Sequence, residues 1–291
     1  MAARPAAFVG GLLVSLAVFG SVSGCTKTTS AVPWQTTVPG PLHATVTTDP
    51  PARADGTVPR DARFVVQLDG YPDPDTAVYG SLTLHSGTLS FDFAIGFDFV
   101  AQQIIMTPHS LLSPGAQYNV VVQHIASVDG RLLDQPGLGS ARSAADVAGR
   151  PAPAPAPTWS ADVQPFLGMC APSCHSPVGA SGRMRPPTRQ LDLTGDPYDS
   201  TYGLVGVAAV GQTGTTQPML RVAAGDPTRS ELLRKLLGGS PAGDSIDPPY
   251  PNMGVDGRRM PIDLDEGKPG VPLPIEQIRV VQAWIAGGAL P

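Results

Sequence analysis

An alternating Pro-Ala run near the middle of the chain constrains the fold more than any other feature. It reads Arg150-Pro151-Ala152-Pro153-Ala154-Pro155-Ala156-Pro157. Proline at every second position is incompatible with helix or sheet and favours polyproline II. Such a segment extends by about 3.1 Å per residue, so residues 151–157 would form a stiff spacer of roughly 20 Å. Including the small and polar residues before it, we assign residues 139–158 to a linker between two domains, 42–138 and 159–291.

The composition agrees with two folded halves joined by long loops. The 291 residues include 33 Gly and 33 Pro, yet 42% are hydrophobic, which is enough to build a core. The net charge is −5 and no stretch is polybasic. Because phosphate binding requires a basic face, this balance argues against nucleic acid as a partner.

The first 24 residues have the pattern of an export signal. Residues 6–22 are apolar but too short for a confident membrane span. They end in Val22-Ser23-Gly24-Cys25, which resembles the lipobox of bacterial lipoproteins. The resemblance implies a lipid on Cys25, residues 25–41 as a flexible tether, and attachment to a membrane through acyl chains. The alternative is an ordinary secretory signal with a chance cysteine.

The lipobox also predicts where the protein resides. A lipid-anchored protein of this kind lies in the cell envelope, on the periplasmic or the cell-surface side. Thr26 follows the cysteine, in place of the Asp that retains some lipoproteins at the inner membrane. This residue weakly favours the outer membrane.

The first half is predicted to be an all-β sandwich. Short apolar or alternating runs occur at residues 64–68, 82–85, 91–95, 104–106 and 118–122, with turn signals between them. Asp49-Pro50-Pro51, the run from Leu112 to Tyr118 and Val128-Asp129-Gly130-Arg131-Leu132 are similar to bacterial Ig-like domains of the surface-layer type. This resemblance implies a spacer or an adhesive module.

Two sets of polar residues in this half, its histidines and a cluster of aspartates, could suggest metal sites. The spacings of its four histidines match no ligand pattern, which favours scattered histidines: His43, His85, His109 and His124. Asp69, Asp73 and Asp75 cluster in a Pro-rich turn, where a solvated loop is favoured over a calcium site.

The second half contains the motif with the clearest chemistry, Cys170-Ala171-Pro172-Ser173-Cys174-His175. It follows a predicted helix with Ser160 as N-cap and an apolar face of Val163, Phe166 and Leu167. Two cysteines followed at once by a histidine form the c-type haem attachment pattern, because each thiol bonds one vinyl group and the histidine reaches the iron. The usual motif has two residues between the cysteines, and this one has three.

Three interpretations of the motif remain open. The first is covalent attachment of one haem c. The second is a structural Cys170–Cys174 disulfide, since the exported compartment is oxidising. The third is zinc or another metal ion, which lacks a fourth ligand at any familiar spacing. Of the three cysteines in the chain, Cys25 is assigned to lipid, so the other two form a pair for haem or for each other.

A methionine is predicted as the second axial ligand, because this half contains only one histidine. Met260, in Arg258-Arg259-Met260-Pro261, resembles the methionine of the distal Met-Pro loop in class I cytochromes c. Met253 is the runner-up, and an ordinary loop or core methionine is the alternative. Arg258 and Arg259 fit haem propionates and solvated loop positions equally well. The full set of candidates is Met169, Met184, Met219, Met253 and Met260.

Two helices are predicted downstream of the motif. Thr228 and Glu231 form a capping box before a helix that ends at Gly238. The last helix begins at Ile275 and carries an apolar stripe that includes Trp284, for which helix packing is favoured over contact with the haem edge.

This half resembles the cytochrome c-like domains of lipoproteins from bacteria such as myxobacteria and planctomycetes. The resemblance rests on the Cys-His motif, on Gly225-Asp226-Pro227 with Arg234-Lys235-Leu236, on the Arg-Met-Pro loop and on the terminal Trp-Ile helix. It implies a mostly α-helical, cytochrome c-like domain whose last helix packs against its first. Haem iron would be bound by His175 and Met260.

The sequence therefore predicts an envelope-anchored haem protein that carries single electrons to or from a redox partner protein, and not an enzyme. One alternative is a structural or adhesive lipoprotein with the Cys170–Cys174 disulfide and no haem. Another is a peroxidase-like haem enzyme with an open sixth position.

Overall fold

The computed structural model describes residues 40–149, 154–168, 175–176, 191–209, 219–238, 260 and 273–291. Several predicted features lie outside the described residues: the signal peptide, nearly all of the tether, Cys25, Cys170, Cys174, Met253, Arg258 and Arg259. Among the described residues, no helix has the length and apolar character needed to cross a membrane.

The first half is a β-sandwich of two sheets. The four-stranded sheet has the order β1-β3-β7-β6 and the five-stranded sheet has the order β2-β9-β8-β4-β5. All neighbours pair antiparallel except β2 and β9, which are parallel. The strands are β1 Ala44–Asp49, β2 Thr57–Val58, β3 Arg63–Leu68, β4 Leu82–Ser86, β5 Leu89–Ser90, β6 Phe93–Asp98, β7 Gln103–Pro108, β8 Gln117–Val122 and β9 Gly137–Ser143.

The core between the two sheets follows from the apolar runs. Strand β8 alternates, with Tyr118, Val120 and Val122 buried between exposed or half-buried neighbours. Strand β3 lies between β1 and β7 and buries most of its residues, including Phe64 and Val66. The two inner faces form one hydrophobic cluster. The predicted sandwich is thus confirmed, and four of the five predicted strands agree with the observed ones to within one residue at the start.

Strand β9 corrects the predicted boundary, which ended the sandwich at residue 138 and began the linker at residue 139. Strand β9 pairs with β8 from Gly137 opposite Val122 to Arg142 opposite Gln117. Its glycines are needed for packing, since a Cβ on Gly139 would lie 2.6 Å from the Cβ of Val46 in β1. The small residues that resemble a linker therefore allow β1 to pass close over β9.

The second half is built from a few short helical segments. A π-helical turn, Trp159–Val163, continues into α1 Gln164–Leu167; a 3₁₀ turn Pro227–Arg229 precedes α2 Glu231–Leu237; and α3 is Ile275–Ala286. Two of the predicted helix N-caps differ from the observed ones. Thr158, rather than Ser160, accepts the hydrogen bond from the Ala161 N–H. Asp226 caps the 3₁₀ turn before α2, so the predicted Thr228–Glu231 capping box is not formed.

The first and last helices pack together, as the sequence predicts. The rings of Trp159 and Trp284 lie 5.4 Å apart between centroids, at 38° to each other. The Trp284 indole N–H donates to the Leu290 carbonyl at 2.7 Å, and the Trp159 backbone N–H donates to the same oxygen at 2.9 Å. Trp284 therefore packs against Trp159 at the start of this half and hydrogen-bonds to Leu290 at its end, which holds the two segments together.

The two halves are in contact, which differs from the stiff spacer that the Pro-Ala run predicts. Tyr71, Phe99 and Val100 of the sandwich belong to the same buried cluster as Trp159 and Trp284. Proline content describes the local backbone of a linker, but it does not determine whether the domains on either side dock. The hydrophobic area that docking buries decides the arrangement here.

Candidate functional site

The histidine of the Cys-His motif lies beside the end of α1. The carbonyl of His175 accepts a hydrogen bond from the Leu193 N–H at 2.8 Å, and Leu193 is fully buried in the cluster that contains both tryptophans. The Gln164 side chain donates to the carbonyl of Thr194 at 3.0 Å and holds the same segment against α1. His175 is half-buried and the following Ser176 is buried.

Met260, the predicted second ligand, lies beside the end of α2. Its N–H donates to the carbonyl of Lys235 at 2.9 Å. Its side chain is half-buried and packs against the same hydrophobic cluster. Met219, another of the five candidates, is also half-buried against this cluster. The His175 carbonyl is thus bonded to one residue of this core, Leu193, while Met260 and Met219 pack against the same core.

The residues present fit a haem in their chemistry. An imidazole and a thioether form the donor pair of many c-type cytochromes. The cluster beside them is apolar and contains residues of α1, α2 and α3 together with Tyr71, Phe99 and Val100 of the sandwich. Cys170 and Cys174, which would form the thioether bonds, lie outside the described residues, so the choice between haem attachment and a disulfide stays a prediction.

The polar groups of the sandwich make local contacts. Asp69 forms an ion pair with Arg131 at 3.4 Å and accepts from the His43 N–H at 3.0 Å. Asp73 accepts from the Asp75 N–H at 3.1 Å. Within the described part of the chain, no three His, Cys, Asp or Glu side chains lie close enough together to hold a metal ion.

Two arginines near the site were not predicted, Arg221, which is buried, and Arg234, which is half-buried. Nη1 of Arg221 donates to the carbonyl of Gly203 at 2.7 Å. Burial lowers the pKa of the Arg221 guanidinium, and the negative charge of Glu231 acts in the opposite direction. Arg234, just before Lys235, donates to the carbonyl of Thr228 at 2.8 Å, and burial lowers its pKa as well. The only signal in the sequence was an arginine inside each apolar run, as in Leu232-Leu233-Arg234.

Comparison with known proteins finds distant structural similarity only. No protein-family model matches the chain, and no curated protein sequence matches it. The N-terminal part of the bacterial S-layer protein SbsC is similar over 40% of this chain and 25% of its own, with 13% identity and a TM-score of 0.29. Domains 1–6 of SbsC are similar over 52% of this chain and 19% of their own, with 12% identity and a TM-score of 0.30.

A third solved structure, the native conformation of E. coli alpha-2-macroglobulin, is similar over 31% of this chain and 6% of its own. Its identity is 13% and its TM-score 0.26. The chain therefore spans a quarter or less of the length of these proteins. The assignment of a β-sandwich followed by a few helices rests on the two sheets and the helical segments themselves.

Proposed function

We propose that this chain is an envelope-anchored protein with one covalent haem c that carries single electrons. The observation that carries the proposal is the Cys170-x3-Cys174-His175 motif directly after α1, supported by the bond of the His175 carbonyl to Leu193 in the apolar core against which Met260 packs. When bound, the haem supplies reversible one-electron chemistry at iron.

The proposed role of the protein is to hold the haem and to set the polarity of its surroundings. Cys170 and Cys174 would hold the porphyrin through thioether bonds, and His175 and Met260 would provide the two axial ligands. A thioether ligand and an apolar surrounding both favour the reduced form, which raises the potential. The helix contact between Trp159 and Trp284 supports the proposal because the terminal helices of the resembled domains pack in the same way.

The proposed location follows from the lipobox. A lipid on Cys25 would attach the mature protein to a membrane of the cell envelope. Thr26 favours the outer membrane over the inner one. The partner would be another redox protein. The sequence offers no basic face for nucleic acid.

Haem staining of the purified mature protein on a denaturing gel tests the proposal. The full chain is expressed together with a cytochrome c maturation system that accepts variant motifs, and its intact mass is measured. We expect a stained band and a mass increase of one haem. The variant with both Cys170→Ala and Cys174→Ala should show neither. Cys25→Ser is the matched control, because it removes a cysteine that has no part in haem attachment and should still stain.

The disulfide alternative gives a different result in the same experiment. A Cys170–Cys174 disulfide would lower the intact mass by two hydrogens and leave the band unstained. That outcome would refute the haem proposal and favour a structural or adhesive role for the whole chain.

A further inference from the structure

The tip of the β6–β7 hairpin has an unusual composition for a loop. Phe99 and Val100 occupy the tip and are only 0% and 3% exposed. Hairpin tips normally lie on the surface and are polar, because their backbone needs water. Phe97, at the end of β6, stacks on Phe99 with centroids 6.0 Å apart. A buried aromatic and a buried valine at a tip indicate a partner surface.

The partner surface is one side of α3 in the helical half. The side-chain amide of Gln282 makes two hydrogen bonds to the tip. Its Oε1 accepts from the Val100 N–H at 3.2 Å, and its Nε2 donates to Asp98 Oδ1 at 2.9 Å. The Arg279 guanidinium lies 3.8 Å from the other oxygen of Asp98. Phe99 and Val100 then join the cluster that contains Trp284. The contact combines apolar burial with a two-point hydrogen bond, as specific interfaces do.

A second side of the interface has complementary charges. Tyr71 is buried in the same cluster, and it begins the turn that contains Asp73 and Asp75. Burial lowers the pKa of the Arg234 guanidinium on α2, and the negative charges of Asp73 and Asp75 act in the opposite direction. The sandwich therefore contributes carboxylates and the helical half contributes guanidinium groups on both sides of an apolar centre.

We propose that the β6–β7 tip is a docking element that fixes the sandwich on α3, so that the two halves act as one body and the side of α3 that carries Gln282 is closed to other proteins. Another protein would then have to approach the helical half from a side that the β6–β7 tip does not cover. The inference concerns the contact between the halves and does not depend on haem.

Cleaving the linker of the folded full chain tests the docking. A specific protease site replaces residues 150–153, the purified protein is cut, and the two fragments are separated by size at decreasing concentration. We expect the wild-type fragments to elute together. Phe99→Ser should separate them, because it removes the buried aromatic ring from the centre of the contact. Leu89→Ser is the matched control: Leu89 lies beside the tip of the β4–β5 hairpin and is 66% exposed, so its fragments should stay together.

A second variant tests the same contact from the helical side. Gln282→Glu keeps the size of the side chain but places a carboxylate against Asp98 and removes the donor of that hydrogen bond. It should weaken association of the cut fragments by about tenfold or more. This variant lies on solvent-accessible helix surface once the halves separate, so it remains informative if Phe99→Ser reduces folding of the sandwich.

The outcomes are distinct. Separation of the wild-type fragments, or an unchanged affinity in Gln282→Glu, would overturn the docking proposal. Haem staining of the helical fragment in the same fractions reports on the proposed function independently. A stained fragment that separates refutes docking alone, and an unstained fragment that stays bound refutes haem attachment alone.

Discussion

Replacing Gly139 by alanine tests whether β9 is part of the sandwich. The added Cβ would lie 2.6 Å from the Cβ of Val46, and closer still to one of its methyl groups. Carbon atoms in contact prefer about 3.5–4.0 Å, so β1 and β9 would have to separate by about 1 Å. Overpacking of this kind typically costs about 1–3 kcal/mol. We therefore expect Gly139→Ala to lower the free energy of unfolding by that amount.

The opposite result is expected if Gly139 belongs to a linker. Alanine in place of a flexible glycine stabilises a protein by about 0.4–1 kcal/mol when its backbone permits, because the unfolded chain loses freedom. The sign of the change therefore separates the two assignments. Urea unfolding of the full chain, followed by circular dichroism and analysed by linear extrapolation, measures it.

Two further variants connect the loss to the contact with β1. In a Val46→Gly background the obstacle is gone, so the penalty of Gly139→Ala should largely disappear, which gives a coupling energy of at least about 1 kcal/mol. Gly80→Ala is the matched control, since a Cβ there would meet no atom within 4 Å, and we expect a change within about 0.5 kcal/mol. An unchanged or raised stability of Gly139→Ala would refute the close packing of β1 on β9.

Three other predictions concern the site, the anchor and the surface. Met260→Ala should abolish the weak charge-transfer absorption of a methionine-ligated ferric haem and open the iron to added imidazole, whereas Met253→Ala should do neither. The reverse pattern would make Met253 the ligand. A wild-type haem that is already high-spin would favour the peroxidase-like alternative. Cys25→Ser should lose incorporation of labelled palmitate, and equal labelling of variant and wild type would refute the lipoprotein assignment. The hydrogen bond from Arg53 lowers the pKa of Asp146 below its ordinary 3.8. The stability advantage of wild type over Asp146→Asn should therefore be complete at neutral pH and disappear as the pH falls through that lowered pKa. An advantage that persists in strong acid would contradict this prediction.

Local pattern was sufficient for much of the fold. The apolar run at β3 and the alternation at β8 predict strands because each residue's environment in a sandwich follows from its position along the strand. The stripe of α3 predicts a helix for the corresponding reason, with a period of 3.6 residues. The stripe requires some apolar partner, and that this partner is the first helix is implied only by the resemblance to cytochrome c-like domains. The Cys-His motif is likewise local, since attachment of a porphyrin constrains neighbouring residues.

Other features depend on residues that are distant in sequence. The sequence predicts linker for residues 139–143 of strand β9 because the residues there are small and polar, and only the approach of β1 explains Gly139. Phe97 and Phe99 have the pattern of an ordinary strand, and nothing near them indicates α3. The buried position of Arg221 and the half-buried position of Arg234 cannot be read from their local sequence either.

The sequence by itself therefore predicted most of the elements and the candidate chemistry: five strands, the first and last helices, a segment that resembles a lipobox, and a Cys-x3-Cys-His motif. The tertiary structure decided which of these elements meet. It bonded the His175 carbonyl to the core against which Met260 packs, brought β1 over the glycines of β9, and docked a hairpin tip on α3 despite a Pro-rich linker. The physical reason is that propensity and periodicity act between neighbouring residues. The burial of apolar surface, in contrast, is decided by whichever distant faces fit together.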